Sequence, residues 1–235
     1  MSYRQLDSAK IVSTIEILNQ RIVERFPASG LSKVAQELLT TGQEANTRSQ
    51  WVAKPLWHFR FLIGILVTLI AVSLFFVLTK IDLRNHPLTF AEFIQVLESA
   101  INDIVFFGLG IFFIATLETR IKRQRVVGLL HDLRAMAHVI DMHQLTKDPE
   151  SLLTTYQQTK SSPTRTMSAF ELERYLDYCS EMLSLISKIA ALYVQDFNDT
   201  EVVDVVNEIE SLTTGLSRKM WQKIRVLQSF SLGQN

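Results

Sequence analysis

The chain is poor in cysteine, in strand-like patterning and in charge of either excess sign. Cys179 is the one cysteine among 235 residues. That excludes an intramolecular disulfide and any cysteine-based zinc cluster. A lone thiol inside an apolar pattern reads as a small core residue. Twenty-four basic residues meet 24 acidic ones, and zero net charge argues against nucleic acid as a partner. No stretch alternates apolar and polar residues as a half-buried strand would. A glycine-rich phosphate loop, a nucleophile elbow and an acid–base pair at usable spacing are all missing, so neither an enzyme nor a cofactor is expected. The start, "MSYRQLDSAKIVST", lacks an apolar core after a basic region. No cleavable signal peptide is expected, and targeting falls to the first spanning helix.

Charge is missing entirely from Phe61 to Thr79, "FLIGILVTLIAVSLFFVLT". These 19 residues lie between Arg60 and Lys80. As a helix they extend about 28 Å, close to the ~30 Å hydrocarbon core of a bilayer. Thr68, Ser73 and Thr79 are too few for the polar stripe of a soluble helix. Trp51, Trp57 and His58 precede the run, where an interfacial aromatic belt belongs. A second apolar run, Ile104 to Leu117, has 14 residues and reaches only about 21 Å. Extension back to Leu97 or Glu98 gives the length a span needs. Pro87 breaks the chain between the runs. Thr89 with Glu92 matches a Thr-x-x-Glu capping box, so the second helix is predicted to start near Phe90.

Two spans put both termini on one side. Arg48, Lys54 and Arg60 precede the first span, and Arg120, Lys122, Arg123 and Arg125 follow the second. Lys80 and Arg84 are the basic residues between them. The positive-inside rule therefore makes both termini cytoplasmic, in the inner or plasma membrane if the chain is bacterial. Arg120, Lys122, Arg123 and Arg125 sit where anionic lipid headgroups would meet them.

The remaining sequence is helical by period. Ile11, Ile15, Leu18, Ile22 and Phe26 form one stripe, stopped by "PASG" at 27–30, and a short second helix is expected from about Leu31 to Leu39. The second span continues without a breaker through Val126, Leu130, Leu133, Ala137 and Ile140 to about Gln144, before Asp148-Pro149. Ser168 and Glu171 form another capping box. From Leu172 a 4-3 repeat runs through Leu176, Cys179, Leu183, Ile186, Ala190 and Tyr193 to Phe197. "DFNDT" then turns the chain into a last amphipathic helix from Val202 to Leu227. The expected fold class is all-α: an integral membrane protein with a two-helix transmembrane hairpin and a four-helix cytoplasmic bundle. Residues 1–56 are N-terminal cytoplasmic helices. Residues 57–118 are the hairpin, with spans about 61–79 and 98–117. Residues 119–235 are C-terminal cytoplasmic helices, with the span-two extension to about 144 and an antiparallel pair over about 168–230.

Two groups of residues carry chemistry. Gln95, Glu98 and Asn102 share one face of the second span, with Asp103 beside it. A carboxylate facing lipid costs a few kcal/mol at mid-bilayer, so these residues are expected at a partner helix, a water-filled space or the interface. Gly108 and Gly110 leave room for close helix approach. Three of the five histidines lie at 131, 138 and 143. His131 and His138 are about 10.5 Å apart along a helix and cannot share one ion. A metal site would have to use His138 and Asp141, or His138 with Met142 and outside ligands. A polar stripe between bundled helices accounts for the same residues, and no metal is assigned. The basic stretch "LSRKMWQKIRVL" near the C-terminus reads as bundle surface, or as a contact for a membrane or a partner.

The expected function is non-enzymatic: a self-associating membrane-anchored helical scaffold whose partners are the lipid bilayer, further copies of itself and a cytoplasmic protein. The alternative is a homo-oligomeric ion-conducting protein whose second span lines a cation pathway.

Overall fold

The computed structural model describes residues 5–54, 56–80, 89–152, 159–162, 167–195 and 197–232. Among the described residues every regular element is a helix. These are α1 (Ser8–Arg25), α2 (Gly30–Ala53), α3 (Trp57–Lys80), α4 (Phe90–Leu145), α5 (Ala169–Gln195) and α6 (Thr200–Leu232), with one 3-10 turn at Pro149–Leu152. The chain divides into two compact units, Met1–Ala53 with Arg125–Asn235, and Lys54–Gln124.

In the first unit, Asp7 caps α1 by accepting from the Ala9 and Lys10 N–H groups at 3.0 and 3.3 Å. Pro27 ends the helix, and Ala28 turns the chain with φ 55°. Ser29 starts α2 by accepting the Ser32 N–H at 3.1 Å. α2 runs back along α1: Ser8 meets Asn46 at 2.6 Å and Asn19 meets Gln36 at 3.0 Å. The expected short helix over Leu31–Leu39 is thus a full-length one. Beyond Leu39 its apolar positions thin to Ala45 and Val52, both buried, and the half-buried Trp51. A sparse stripe of that kind is faint in sequence, and tertiary packing carries it.

α5 is the central helix. The 4-3 repeat from Leu172 to Tyr193 is buried throughout. A second repeat, interleaved with it, is buried as well: Tyr175, Tyr178, Met182, Leu185, Ile189 and Leu192. With two seams filled, α5 packs on several neighbours, and each large side chain taken from water contributes roughly 1.5–3 kcal/mol. α1 lies antiparallel to α5, fixed by Arg21–Glu181 at 3.1 Å, Arg25 Nε to the Tyr178 hydroxyl at 3.3 Å and the Leu6 N–H to Gln195 at 2.7 Å. α6 returns along α5, with Gln228 donating to Glu173 at 2.9 Å. The last part of α4 runs parallel to α6: Arg134 pairs with Glu208 at 3.0 Å, and Lys223 reaches the Gln144 carbonyl at 3.1 Å. Among the described residues five helices therefore build the bundle, one more than the periodicity predicts.

At the start of α5, the Ser168 N–H and hydroxyl both donate to Glu171, each at 2.8 Å, and Ser168 Oγ accepts the Glu171 N–H at 3.3 Å. This is the predicted capping box. The Glu92 side chain of the other box lies outside the described residues. α4 nonetheless starts at Phe90 and ends at Leu145, close to the expected positions.

The second unit holds α3 and the first part of α4. The Leu56 N–H donates to Glu118 at 3.0 Å. Further along, Leu66 Cδ2 lies 3.8 Å from where a Cβ on Gly110 would stand. The two helices are therefore antiparallel. By length and composition one helix, over Phe93–Leu145, is apolar enough to cross a membrane, and none of that apolar stretch is buried in the chain. The apolar segment Trp57–Val72 of α3 is shorter.

Candidate membrane-facing site

The base of the α3–α4 pair is an ion pair. Glu118 accepts from Lys122 Nζ at 2.9 Å, and the two side chains are 19% and 9% exposed. Glu118 also accepts the Leu56 N–H, an orphan donor at the start of α3. A carboxylate there answers the positive end of the α3 dipole. Burial pushes the Glu118 carboxyl up. The Leu56 N–H, Lys122 and Arg60 outweigh it and hold the group below its ordinary value.

Gly110 faces α3, and Asp103 lies seven residues before it, two turns back on the same side. Around the helix, Gln95 lies about 60°, Asn102 about 80° and Glu98 about 120° from Gly110. The polar face expected from sequence is thus divided. Asp103 lies on the α3 side, Gln95 and Asn102 on its flank, and Glu98 turns away from it. All four are exposed. Among the described residues none of them makes a hydrogen bond or ion pair. Gly108 is open on its Cβ side, whereas Gly110 admits Leu66.

The four basic residues that follow do not behave alike. Arg120 is exposed, and Arg123 is half-buried with interactions of its own. Lys122 is committed to Glu118. Arg125 stacks over Trp51, 4.8 Å from the ring centre. Trp51, expected in an aromatic belt, is instead half-buried against the bundle core. Trp57 is 75% exposed.

The histidine segment does not converge. His131 and His138 are exposed on α4. Asp141 accepts from Gln144 at 2.7 Å. Among the described residues no three His, Cys, Asp or Glu side chains come together as metal ligands. His143 lies against Gly30, where a Cβ would run into its ring. Lys223, one of the basic residues near the C-terminus, turns inward. Its ammonium donates to the Gln144 and Lys147 carbonyls at 3.1 Å each and so caps the end of α4. Burial lowers its pKa, and Asp148 and Asp141 oppose that shift. The Cys179 thiol is fully buried and pushed far up by burial, which makes it inert.

A groove of about 460 Å³ between α2 and α4 is lined by Glu37, Glu44, Arg48, Asp132, Met136 and Tyr193. Arg48 pairs with Glu44 one turn away on the α2 wall at 3.1 Å. Burial raises the Tyr193 hydroxyl to about 12. These groups do not form a catalytic set. Comparison with protein-family models, curated proteins and solved structures finds no match.

Proposed function

We propose that the chain is a non-enzymatic integral membrane protein that self-associates as a membrane-anchored assembly module. In this reading α3 and the first part of α4 form a transmembrane hairpin, with spans about 61–79 and 98–117. Both termini are cytoplasmic, and the bundle is the working part. The observation that carries it is on α4. Its apolar stretch is unburied in the chain, while Gln95, Glu98 and Asn102 are exposed, their side chains without a partner among the described residues. Polar groups at membrane depth are covered by protein or water, and a neighbouring copy supplies that cover. The test is native mass spectrometry in mild detergent, with cysteine labelling at Glu98 and Asn102. An oligomer with both positions protected supports the reading. A monomer labelled freely at both positions sinks it.

A cation pathway is the second reading, and the depth of Asp103 favours it. Continuing the Leu56–Glu118 and Leu66–Gly110 register, Glu98 lies beside about residue 77 of α3 and Asp103 beside about residue 72. Glu98 then sits near the far end of the uncharged run that ends at Thr79. Asp103 sits about 10 Å inside it. A carboxylate at that depth is costly unless it is hydrated or paired. Cation flux into liposomes, abolished by Asp103→Asn, would support this reading. Equal leak with and without protein would remove it.

A further inference from the structure

The groove between α2 and α4 has an acidic middle. Gly30 of α2 lies against His143 of α4, and Trp51 of α2 lies against Arg125 of α4. The two helices are therefore antiparallel along the groove. In that register Asp132 stands opposite about Thr41, between Glu37 and Glu44. Those two acids are seven residues apart, about 10.5 Å along α2. Lys33 and Arg48 mark the two ends. Arg48 is taken up by Glu44. Glu37 and Asp132 are exposed and form no hydrogen bond or ion pair among the described residues. Two carboxylates are thus left without a counter-charge on facing walls, about 6 Å apart along the groove.

The floor beneath them is apolar. Val34 and Met136 are buried, Leu129 is half-buried and Val139 is 40% exposed. One polar group interrupts it. Tyr193 of α5 is only 3% exposed, yet it lines the groove, and its hydroxyl feels the charges of Arg48, Glu44 and Asp132 on the walls. Among the described residues that hydroxyl has no hydrogen-bond partner. Buried polar groups are normally partnered, so the groove offers an unmet acceptor beside two unmet anions. The group that answers both is an ammonium, which carries three donors and a positive charge.

We propose that this groove binds a linear alkylpolyamine whose amines are three or four methylenes apart. One ammonium lies between Asp132 and the Tyr193 hydroxyl, which accepts from it. The next reaches Glu37, and a third, where present, meets Glu44. Ammonium groups joined in this way stand about 5–6 Å apart, close to the spacing of the two free acids. The methylenes lie on Val34, Met136 and Val139, as a lysine stem lies on an apolar surface. The groove volume, about 460 Å³, falls in the range of small-molecule sites, about 300–1,000 Å³. A metal ion fits less well, because no three ligand side chains converge among the described residues. An anion is opposed by the same carboxylates.

The inference goes beyond the assembly reading and stands without it, since every residue of the groove belongs to one unit. The test is isothermal titration calorimetry of the full chain in a non-ionic detergent, with spermidine as the probe. One molecule binds per chain. Glu37→Gln and Asp132→Asn each weaken binding at least fivefold, while Glu210→Gln, an exposed acid on α6, leaves it unchanged. Butylamine, with a single ammonium, binds at least fivefold more weakly than spermidine. Tyr193→Phe weakens binding at least twofold without lowering the melting temperature of the free protein, since the lost hydroxyl has no partner in the fold. A monomeric chain that binds in this pattern keeps the site and removes only the assembly reading. Binding that Glu210→Gln reduces as much as Asp132→Asn does, or that magnesium ions at equal charge reproduce, overturns the site in favour of a diffuse acidic surface. No heat at millimolar spermidine overturns it outright.

Discussion

The Leu56 N–H, at the start of α3, donates to the carboxylate of Glu118, on α4, at 3.0 Å. The same carboxylate holds Lys122 at 2.9 Å. One acid thereby satisfies an orphan helix donor, a nearly buried ammonium and the register of two antiparallel helices.

Removing that acid costs more than one hydrogen bond. Glu118→Ala leaves both Lys122 and the Leu56 N–H without their acceptor, and losing a hydrogen bond to a charged group costs about 1.5–3 kcal/mol. Replacing both partners, as Glu118→Leu with Lys122→Leu, costs distinctly less, because no unpaired charge remains. Thermal melts in one detergent, followed by circular dichroism, compare the two. Equal losses would refute the ion-pair account.

Lys223 gives a second test. Lys223→Met leaves the Gln144 and Lys147 carbonyls without their cationic donor. The expected loss is about 1.5–3 kcal/mol, the range for a hydrogen bond to a charged group. Lys219→Met, on the exposed surface, shifts stability by no more than about 0.5 kcal/mol. Urea unfolding of the two variants side by side decides it.

The cap of α5 is pH-sensitive in a defined direction. The Ser168 N–H and hydroxyl hold the Glu171 carboxyl below its ordinary value of 4.5. The folded state therefore binds this proton less tightly than the unfolded chain does. The contribution is fully present above pH 4.5 and is lost as pH falls through the lowered folded value. Glu171→Gln removes that part of the acid limb, which a pH series of melting temperatures with and without the substitution detects.

Ala28 holds φ 55° between α1 and α2. That conformation costs a residue with a side chain roughly 1–2 kcal/mol. Glycine relieves it, against an unfolded-state entropy loss of about 0.4–1 kcal/mol. Ala28→Gly is expected to stabilise the bundle by about 0.5–1 kcal/mol, the difference between the two effects. A lowered melting temperature would contradict the strain.

Several local features are legible from neighbouring residues alone. The stripe from Ile11 to Phe26, the capping box at Ser168 and the helix start at Phe90 each depend on contacts within a few positions, and each occurs where the pattern puts it. The length of α2 is less legible, because beyond Leu39 its buried side is marked by small or widely spaced residues, Gly42, Ala45, Trp51 and Val52. The second seam of α5 has a pattern of its own: Tyr175, Tyr178, Met182, Leu185, Ile189 and Leu192 keep a strict 3-4 spacing. Two interleaved seams widen the apolar face without naming the helices that fill it, so the fifth helix of the bundle leaves no separate mark on α5.

By itself the sequence determined the helical class, the uncharged run and the helix starts, because periodicity, caps and charge act within a few residues. Only the tertiary structure decided what each polar group does. Lys223 looks alike in sequence to Lys219, yet of the two it is Lys223 that turns inward, to the end of α4. Asp103 separates from Gln95, Glu98 and Asn102 only once Gly110 is seen to face Leu66. A side chain's task depends on which distant group it meets. That meeting is set by helix packing in space, which no local pattern encodes.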